Sequence, residues 1–552
     1  MKLKHIKDHN AISLFFSIII GVLSFYWIVG FRILDPTNIA WINNQDTITH
    51  YLGWVFFRNS DWSFPLGLNP SYGLEFSSSI LFSDSNPLLA FLFKPFSQWL
   101  PETFQYFGIW LLACFIFQAW LGWKLTRLAS TSLIICFLGA AFFTFAPPML
   151  IRLHGHFNLV GHFLILGALY LALNQNLQTL KKTIIWYIIL LVAALVHAYI
   201  LAMVAAIWLA DLADRRLKHV MPTSHASVEF FTMTAIIIIA CWQIGYFSVG
   251  QGVGSSNYGS FQMNLLSVIH PHSWSYVLND IPQGVGNNFE SFNYLGLGVI
   301  FLFICASPII FLSRSVFLKY AKRYLVLLVV LFFMIVFSVS NNIQIAEKSI
   351  EFDLSDTVLK IAGIFHASGR FFWPIFYLII FSVIFIIIHG YKKNFASFLL
   401  TIALILQVAD THSGWGHFRD QFMIEPSSIW ETSLSDPFWD IAALKYEKIR
   451  WVPPQNLSPH WTTLATYAST HGLATDAVYL ARIRPSAREI AHRRTADLLE
   501  NGHYEADTLY VFDNSVVDQI KITLRSDGHF LGLIDGLFVL TPDWKHTASV
   551  DN

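Results

Sequence analysis

Residues 183–210 read TIIWYIILLVAALVHAYILAMVAAIWLA. The run is longer than the roughly 20 residues one helix needs to cross a hydrocarbon core, and shorter than two such spans. Lys181 and Lys182 sit at its start, and Arg215, Arg216 and Lys218 follow its end. Loops rich in lysine and arginine stay in the cytoplasm. A run that is basic at both ends is therefore expected to leave that side and return to it, as a pair of short helices turning near His197-Ala198-Tyr199. The alternative, one steeply tilted span, would place Arg314, Lys319, Lys322 and Arg323 outside, against the same tendency.

The rest of the chain agrees with a membrane setting. Of 552 residues, 55% are hydrophobic and 13% charged, with a mean hydropathy of +0.52, which excludes an ordinary soluble protein. Formal net charge is zero, so no basic surplus argues for nucleic acid as a partner. Cys114, Cys136, Cys241 and Cys305 all lie in apolar runs, where cysteine acts as a small packing residue. The N-terminal MKLKHIKDHN leads into an apolar run long enough to span, with no small-residue cleavage pattern after it, and is expected to be a retained first helix with its N-terminus cytoplasmic.

Further apolar runs lie near 104–123, 132–150, 157–173, 230–249, 294–312, 324–340, 371–389 and 395–409. With the 183–210 hairpin they give about eleven membrane-embedded helices. The stretch SILFSDSNPLLAFLFKPF, broken by Asp84 and Pro87, is expected to be re-entrant or interfacial. The fold class is thus mainly α, a polytopic membrane protein over residues 1–410, with extracytoplasmic loops at 32–103, 250–293 and 341–370. Composition changes after Asp410. Stretches such as DAVYLARI and DTLYVFDN alternate like strands around the helix-like SAREIAHRRTADLLENG, which predicts a small extracytoplasmic α/β domain over 411–552.

This threading sends the ionisable groups that are hardest to explain to one side. They are Asp46, His50, Asp84, Arg152, His154, His156, His197, Tyr199, His270, His272, His366 and Arg370. An outward polar cleft is the simplest common cause, because ionisable groups within a membrane domain usually line one. Bland roles compete. Asp46 could cap the helix that begins THYLGWVFF. His154 and His156 form an H-x-H that could hold a metal, but imidazole pairs without cysteine or carboxylate spacing favour hydrogen-bonding or substrate contacts. Arg370 carries a fork suited to phosphate, or it could snorkel as an anchor. In HYLGWVFFRNSDW, Tyr51, Trp54 and Phe57 are expected next to lipid, holding Asp46 at the water boundary.

The segments QDTITHYLGWVFFR, FPLGLNPSYG, SILFSDSNPL, RLHGHFNLVGHFLILGALYLAL and SGRFFWP resemble an uncharacterised bacterial family of GT-C-like membrane proteins. The wider arrangement resembles the GT-C class of polytopic glycosyltransferases. The resemblance implies a bacterial inner (plasma) membrane enzyme that moves a sugar from a polyprenyl-phosphate-type donor to a glycan, lipid or protein acceptor on the extracytoplasmic side. Membrane lipids would be its other partners. It implies Asp46 as the group that takes the acceptor proton and Arg370 as a donor-phosphate contact. More loosely, it implies Asp84 as a second catalytic carboxylate, with His50, Arg152, His154, His156, His197, Tyr199 and His366 as substrate contacts. It fixes no cofactor. A divalent metal stays open, because the first loop has no paired D-x-D, only SDS around Asp84. The competing class is a transporter or lipid flippase for envelope polysaccharide precursors, for which broken helices and internal repeats would be the signature. No repeat is visible. A non-catalytic assembly protein is the third possibility.

Overall fold

The computed structural model describes residues 10–249, 258–284, 289–524 and 528–544. The chain divides into two compact units. The first takes residues 1–41, 106–238 and 254–426, and the second takes 42–105, 239–253 and 427–552.

The first unit is a helical bundle. Among the described residues six helices are long and apolar enough to cross a membrane, or up to eight spans if each of two bent pairs counts as one. This is fewer than the expected eleven: Phe157–Leu173 and Leu325–Val339 are apolar but shorter, and Ala198–Leu217 carries charges towards its C-terminal end. One bend, of 45°, separates Leu133–Thr144 from Pro147–Leu153. Pro147 and Pro148 cause it, since neither can donate to the helical ladder. Helices close up where side chains are smallest. A Cβ on Gly21 would stand 2.6 Å from the Ile116 backbone, and one on Gly298 would stand 2.0 Å from the Ala403 carbonyl. The cysteines pack as free thiols, three buried and Cys305 partly so.

The opening run is a hairpin. Helices Thr179–Val196 and Ala198–Leu217 break at His197, whose backbone is extended (φ −166°, ψ 139°) and whose ring accepts from Tyr199 N–H at 3.2 Å. Lys182 Nζ meets Asp211 Oδ1 at 2.6 Å, and Trp186 Nε1 donates to Asp211 Oδ2 at 2.9 Å. Lys182 and Asp211 lie at nearly equal remove from His197, so this pair forms only if the chain doubles back. Arg215 extends the network from Asp211 to Glu229, and all four charged groups are buried. Both helices run past the apolar run itself, to Thr179 and Leu217, because the buried ion pairs replace hydrophobic contact at their ends.

The second unit holds a five-stranded sheet, order β4-β3-β5-β7-β6, comprising β3 Lys448–Val452, β4 Ala474–Thr475, β5 Thr508–Phe512, β6 Phe530–Ile534 and β7 Leu537–Thr541. A separate hairpin, β1 Asn342–Ile345 and β2 Lys348–Glu351, belongs to the first unit. β3 pairs parallel with β4 and β5, and helices Trp461–His471 and Pro485–Asn501 make the crossovers. β7 closes antiparallel on β5 and β6. The turn between β6 and β7 is Asp535-Gly536, with φ of 46° and 80°, the pair a tight hairpin turn requires. DTLYVFDN is strand β5 as expected. DAVYLARI is not, because past Thr475 the chain leaves the sheet and Ala481 N–H donates instead to the Phe82 carbonyl at 2.8 Å.

The first loop is part of this unit, which the sequence reading did not foresee. Leu52, Phe56, Tyr72 and Phe76 share one core with Trp439, Ile449, Trp461 and Leu509. Residues 71–73 run beside β4, with Gly73 N–H donating to Thr475 O at 2.7 Å and Thr475 N–H to Ser71 O at 3.0 Å. Arg450 Nη1 and Nη2 grip Glu75 at 2.8 and 3.0 Å. Hence the aromatics of HYLGWVFF do not face lipid. Trp54 and Phe57 are fully buried, Tyr51 nearly so, and Trp54 Nε1 donates to the Phe104 carbonyl at 2.9 Å. The SILFSDSNPLLAF stretch forms turns and one short helix, Pro87–Phe93, too short to span.

Candidate functional site

Two segments of the first unit converge on a residue the sequence reading passed over, Glu290. The short helical turn Ile151–Leu153, which continues the Pro147 bend, carries Arg152. The turn Ser368–Phe372, which opens the helix Trp373–Gly390, carries Arg370. Arg152 Nη1 and Arg370 Nε each donate to Glu290 Oε2 at 2.9 Å, and Arg370 Nη2 reaches the same oxygen. His156 Nε2 lies 3.3 Å from Oε1. Arg152 also donates from Nη2 to the carbonyls of Phe289 and Glu290, at 3.1 and 3.2 Å. Its side chain is 0% exposed.

Aromatic rings fix both guanidiniums. Arg370 lies over Tyr199, 4.7 Å from the ring centre, and Arg152 lies between Phe289 and Trp373 at 5.4 and 5.5 Å. Tyr199 is itself held, because its hydroxyl accepts from Ala367 N–H at 2.9 Å. Behind Trp373, His162 Nδ1 pairs with Tyr377 Oη at 2.7 Å, and Gln118 Nε2 donates to that hydroxyl at 3.1 Å. Burial alone would raise the Glu290 pKa. Arg370, then Arg152, outweigh burial and hold the carboxyl well below the usual carboxylate range. The hub is therefore an ionised carboxylate received by two guanidiniums, and its oxygens mark where those guanidiniums would hold another oxyanion.

Most of the expected contact residues of the first unit belong to this hub. Arg152, His156 and Arg370 bind Glu290 directly, Tyr199 lies beneath Arg370, and His197 feels the charges of Arg370, His156, Glu290 and Arg152. His154 is exposed, its ring stacked near Phe418 at 5.9 Å and edge-on to Phe289 at 6.3 Å, so of the H-x-H pair His156 is the one that meets Glu290. His366 is half-buried against Phe261. His270 and His272 form a separate group, with Ile281 N–H donating to His270 Nδ1 at 2.9 Å. The anchor reading of Arg370 fails, because its guanidinium is buried on Glu290 rather than extended to water.

Asp46, His50 and Asp84 belong to the second unit. Asp46 does not cap its helix. Asn44 does, accepting from Thr47 N–H at 3.0 Å while its own N–H donates to Thr47 Oγ1 at 3.2 Å. This leaves the Asp46 carboxylate in the first turn, where the helix dipole favours negative charge, and half-buried. One turn on, His50 is buried and its Nδ1 lies 3.2 Å from the Ser83 carbonyl, the residue before Asp84. Asp84 has a φ of 55°, held in the turn that precedes helix Pro87–Phe93. His50 thus ties the Asp46 helix to the Asp84 turn. Among the described residues no group of three or more His, Cys, Asp or Glu side chains could hold a metal ion.

A family model described as "Domain of unknown function (DUF6311)" matches residues 18–412, and one described as "DUF6311 C-terminal domain" matches 438–542. The chain belongs to the DUF6311 family. No curated protein matches it. The first family region contains residues 42–105 of the second structural unit, so that unit draws on both family regions. In this DUF6311 chain one sequence signal pointed to Glu290. Two arginines at the ends of apolar helices need a counter-charge, and the 250–293 loop between them offers only two acids, Asp280 and the Glu290 of NNFESFNY.

Proposed function

We propose that this DUF6311 protein is an integral membrane glycosyltransferase that takes a sugar from a polyprenyl-phosphate-type carrier and passes it to an acceptor on the extracytoplasmic side. One observation carries the reading: Arg152 and Arg370 converge on the Glu290 carboxylate at the ends of membrane helices, among aromatic rings. A phosphate oxygen accepts the same bonds, and two guanidiniums suit the additional charge that a phosphodiester acquires as its sugar leaves. As the sugar–phosphate bond breaks, the leaving group gains negative charge, and prearranged arginines stabilise it.

Asp46 is the general base in this reading. A sugar hydroxyl is a weak nucleophile, and a carboxylate that takes its proton during attack contributes on the order of 10²–10⁴ in rate. The proton passes to Asp46, the hydroxyl oxygen bonds the anomeric carbon, and the carrier phosphate leaves with the bonding pair. Orientation follows the charges. Lys182, Arg215, Lys218 and Arg323 gather at one end of the first unit and His197, Arg370 and Glu290 at the other, and the positive-inside tendency supports an outward-facing hub in this reading.

The test is turnover of a polyprenyl-phosphate sugar by membranes with matched protein levels. Asp46→Asn should lose about two orders of magnitude or more in turnover, and unchanged turnover removes Asp46 from the mechanism. Arg370→Lys keeps the charge but loses the two-point grip, so a higher donor requirement is expected with a smaller fall in maximal rate. The bent helix at Pro147 favours a second reading, a lipid flippase, since transporters place broken helices at their sites. Mass spectrometry separates the two, because a flippase returns its lipid chemically unchanged.

A further inference from the structure

The helix Pro485–Asn501 is held to the sheet of the second unit at two points and stands off it between them. Ala491 joins the larger apolar core, with Leu464 and Leu509, and Leu498 joins a smaller one, with Val452 and Tyr510. The two anchors lie two helical turns apart on one face. Arg494 and Thr495 fall between them, over the middle of β3 and β5, where Arg450 pairs in register with Tyr510. A cavity of about 220 Å³ opens there. Arg450, Asp476 and Tyr510 line it from the sheet side, Arg494 and Thr495 from the helix, and Tyr504 and Glu505 from the loop that leads into β5. Gly502, at φ 68°, ends the helix and turns the chain into that loop.

The charges around this space are already balanced. Glu75 accepts from both Arg450 and Arg494, Asp476 Oδ2 lies 3.4 Å from Arg450 Nη1, and Glu505 Oε1 lies 3.6 Å from Arg494 Nη1. At the more exposed rim, His503 Nδ1 and Asp497 Oδ2 face each other at 3.2 Å. A phosphate would have to displace carboxylates from the guanidiniums, and a metal ion would face two arginines. Bonding capacity is left over all the same. Arg450 Nε has no partner among the described residues, although its side chain is only 8% exposed. A buried donor is costly without an acceptor, and a carboxylate oxygen accepts more than one bond. An uncharged ligand that both donates and accepts meets these demands. Tyr504 and Tyr510, edge to face at 5.6 Å, offer apolar surface for its carbons.

We infer that this cavity binds a neutral sugar ring, its hydroxyls accepting from Arg450 and Arg494 and donating to Asp476 and Glu505. Each hydroxyl is donor and acceptor at once, so neighbouring hydroxyls bridge an arginine and a carboxylate without breaking the ion pair. A zwitterion such as a free amino acid would have to break it. The site binds and does no chemistry, so it stands apart from the transferase reading.

The test uses the full chain in amphipol, which carries no sugar headgroup, and reads saturation-transfer NMR from D-glucose, D-galactose and N-acetyl-D-glucosamine. At least one should bind wild type, and equal concentrations of inorganic phosphate or glycine should leave its signal in place. Thr495→Trp, which fills the cavity, should abolish the signal with the thermal midpoint kept. Arg494→Gln, at a half-exposed position, should weaken binding about tenfold, the loss of one hydrogen bond to a charged group. Should Thr495→Trp not fold, Arg494→Gln decides alone. No signal from any of the three sugars, a signal that phosphate or glycine displaces, or binding unchanged in either folded variant would overturn the site.

Discussion

Replacing Glu290 by glutamine removes one charge and almost no volume, so it isolates the electrostatics of the hub. In the folded protein the carboxylate accepts from Arg152 and Arg370 and faces His156. An amide keeps one acceptor oxygen, turns an NH₂ toward a cation, and leaves two guanidiniums without their shared counter-charge. Removing one partner of a buried pair typically costs about 3–5 kcal/mol. The side chain is 14% exposed, so the lower end, about 3 kcal/mol, is expected. Thermal unfolding of purified wild type and Glu290→Gln, each with and without a short-chain isoprenyl phosphate, measures this. The variant should unfold several degrees lower, and the added phosphate should stabilise it more than wild type, because phosphate now competes with no carboxylate. The pH dependence adds a sign. The native pKa of Glu290 lies below the roughly 4.3 of an unfolded glutamate, so its contribution is whole above that value and is lost as pH falls through the native pKa. Glu290→Gln should remove that acid-side loss. A variant as stable as wild type, or one that phosphate stabilises no more than wild type, refutes the hub as an oxyanion receptor.

In the second unit, burial raises Asp476 to about 7 despite Arg450 and the hydrogen bond from Trp451 N–H at 2.8 Å. The native state then holds its proton more tightly than the unfolded chain between about pH 4 and 7, so stability should fall by a few kcal/mol as pH rises through that window. Asp476→Asn should flatten the slope of thermal midpoint against pH, and an unchanged slope would show that Asp476 does not titrate there. In the first unit, Asp211→Asn strips Lys182 and Arg215 of a buried partner and should cost about 3–5 kcal/mol, measured as the shift in denaturation midpoint. Lys182→Met with Asp211→Leu removes the pair together and should recover much of that loss. Failure to recover would mean that shape rather than charge compensation holds the hairpin.

How far the fold was legible depended on which interactions decided it. The 183–210 hairpin could be read because a basic residue at each end is a local signal. The buried ion pairs that close it join residues far apart along the chain, and no single stretch displays them. The aromatic segment after Asp46 misled for a related reason. Tyr51, Trp54 and Phe57 have the composition of an interfacial belt, and only the distant partners, such as the Phe104 carbonyl under Trp54, show that they belong to a core. The same holds for Asp46, whose capping role looked natural until Asn44, two residues earlier, proved to satisfy the helix start. At the hub, Arg152, His156 and Arg370 were found because charge is conspicuous in apolar sequence. Glu290 was not, because an acid in a polar loop is ordinary. The requirement that two buried guanidiniums find a counter-charge is a rule about pairs, and applied to both arginines together it narrows the search to the acids of the loops at their end of the bundle. Glu290 flanks Phe289, whose ring packs on Arg152 and whose carbonyl accepts from it, so the loop delivers charge and aromatic cover from adjacent residues. A loop that does both is fixed at that point by the arginines, and the position of Glu290 is as much a consequence of Arg152 as a support for it.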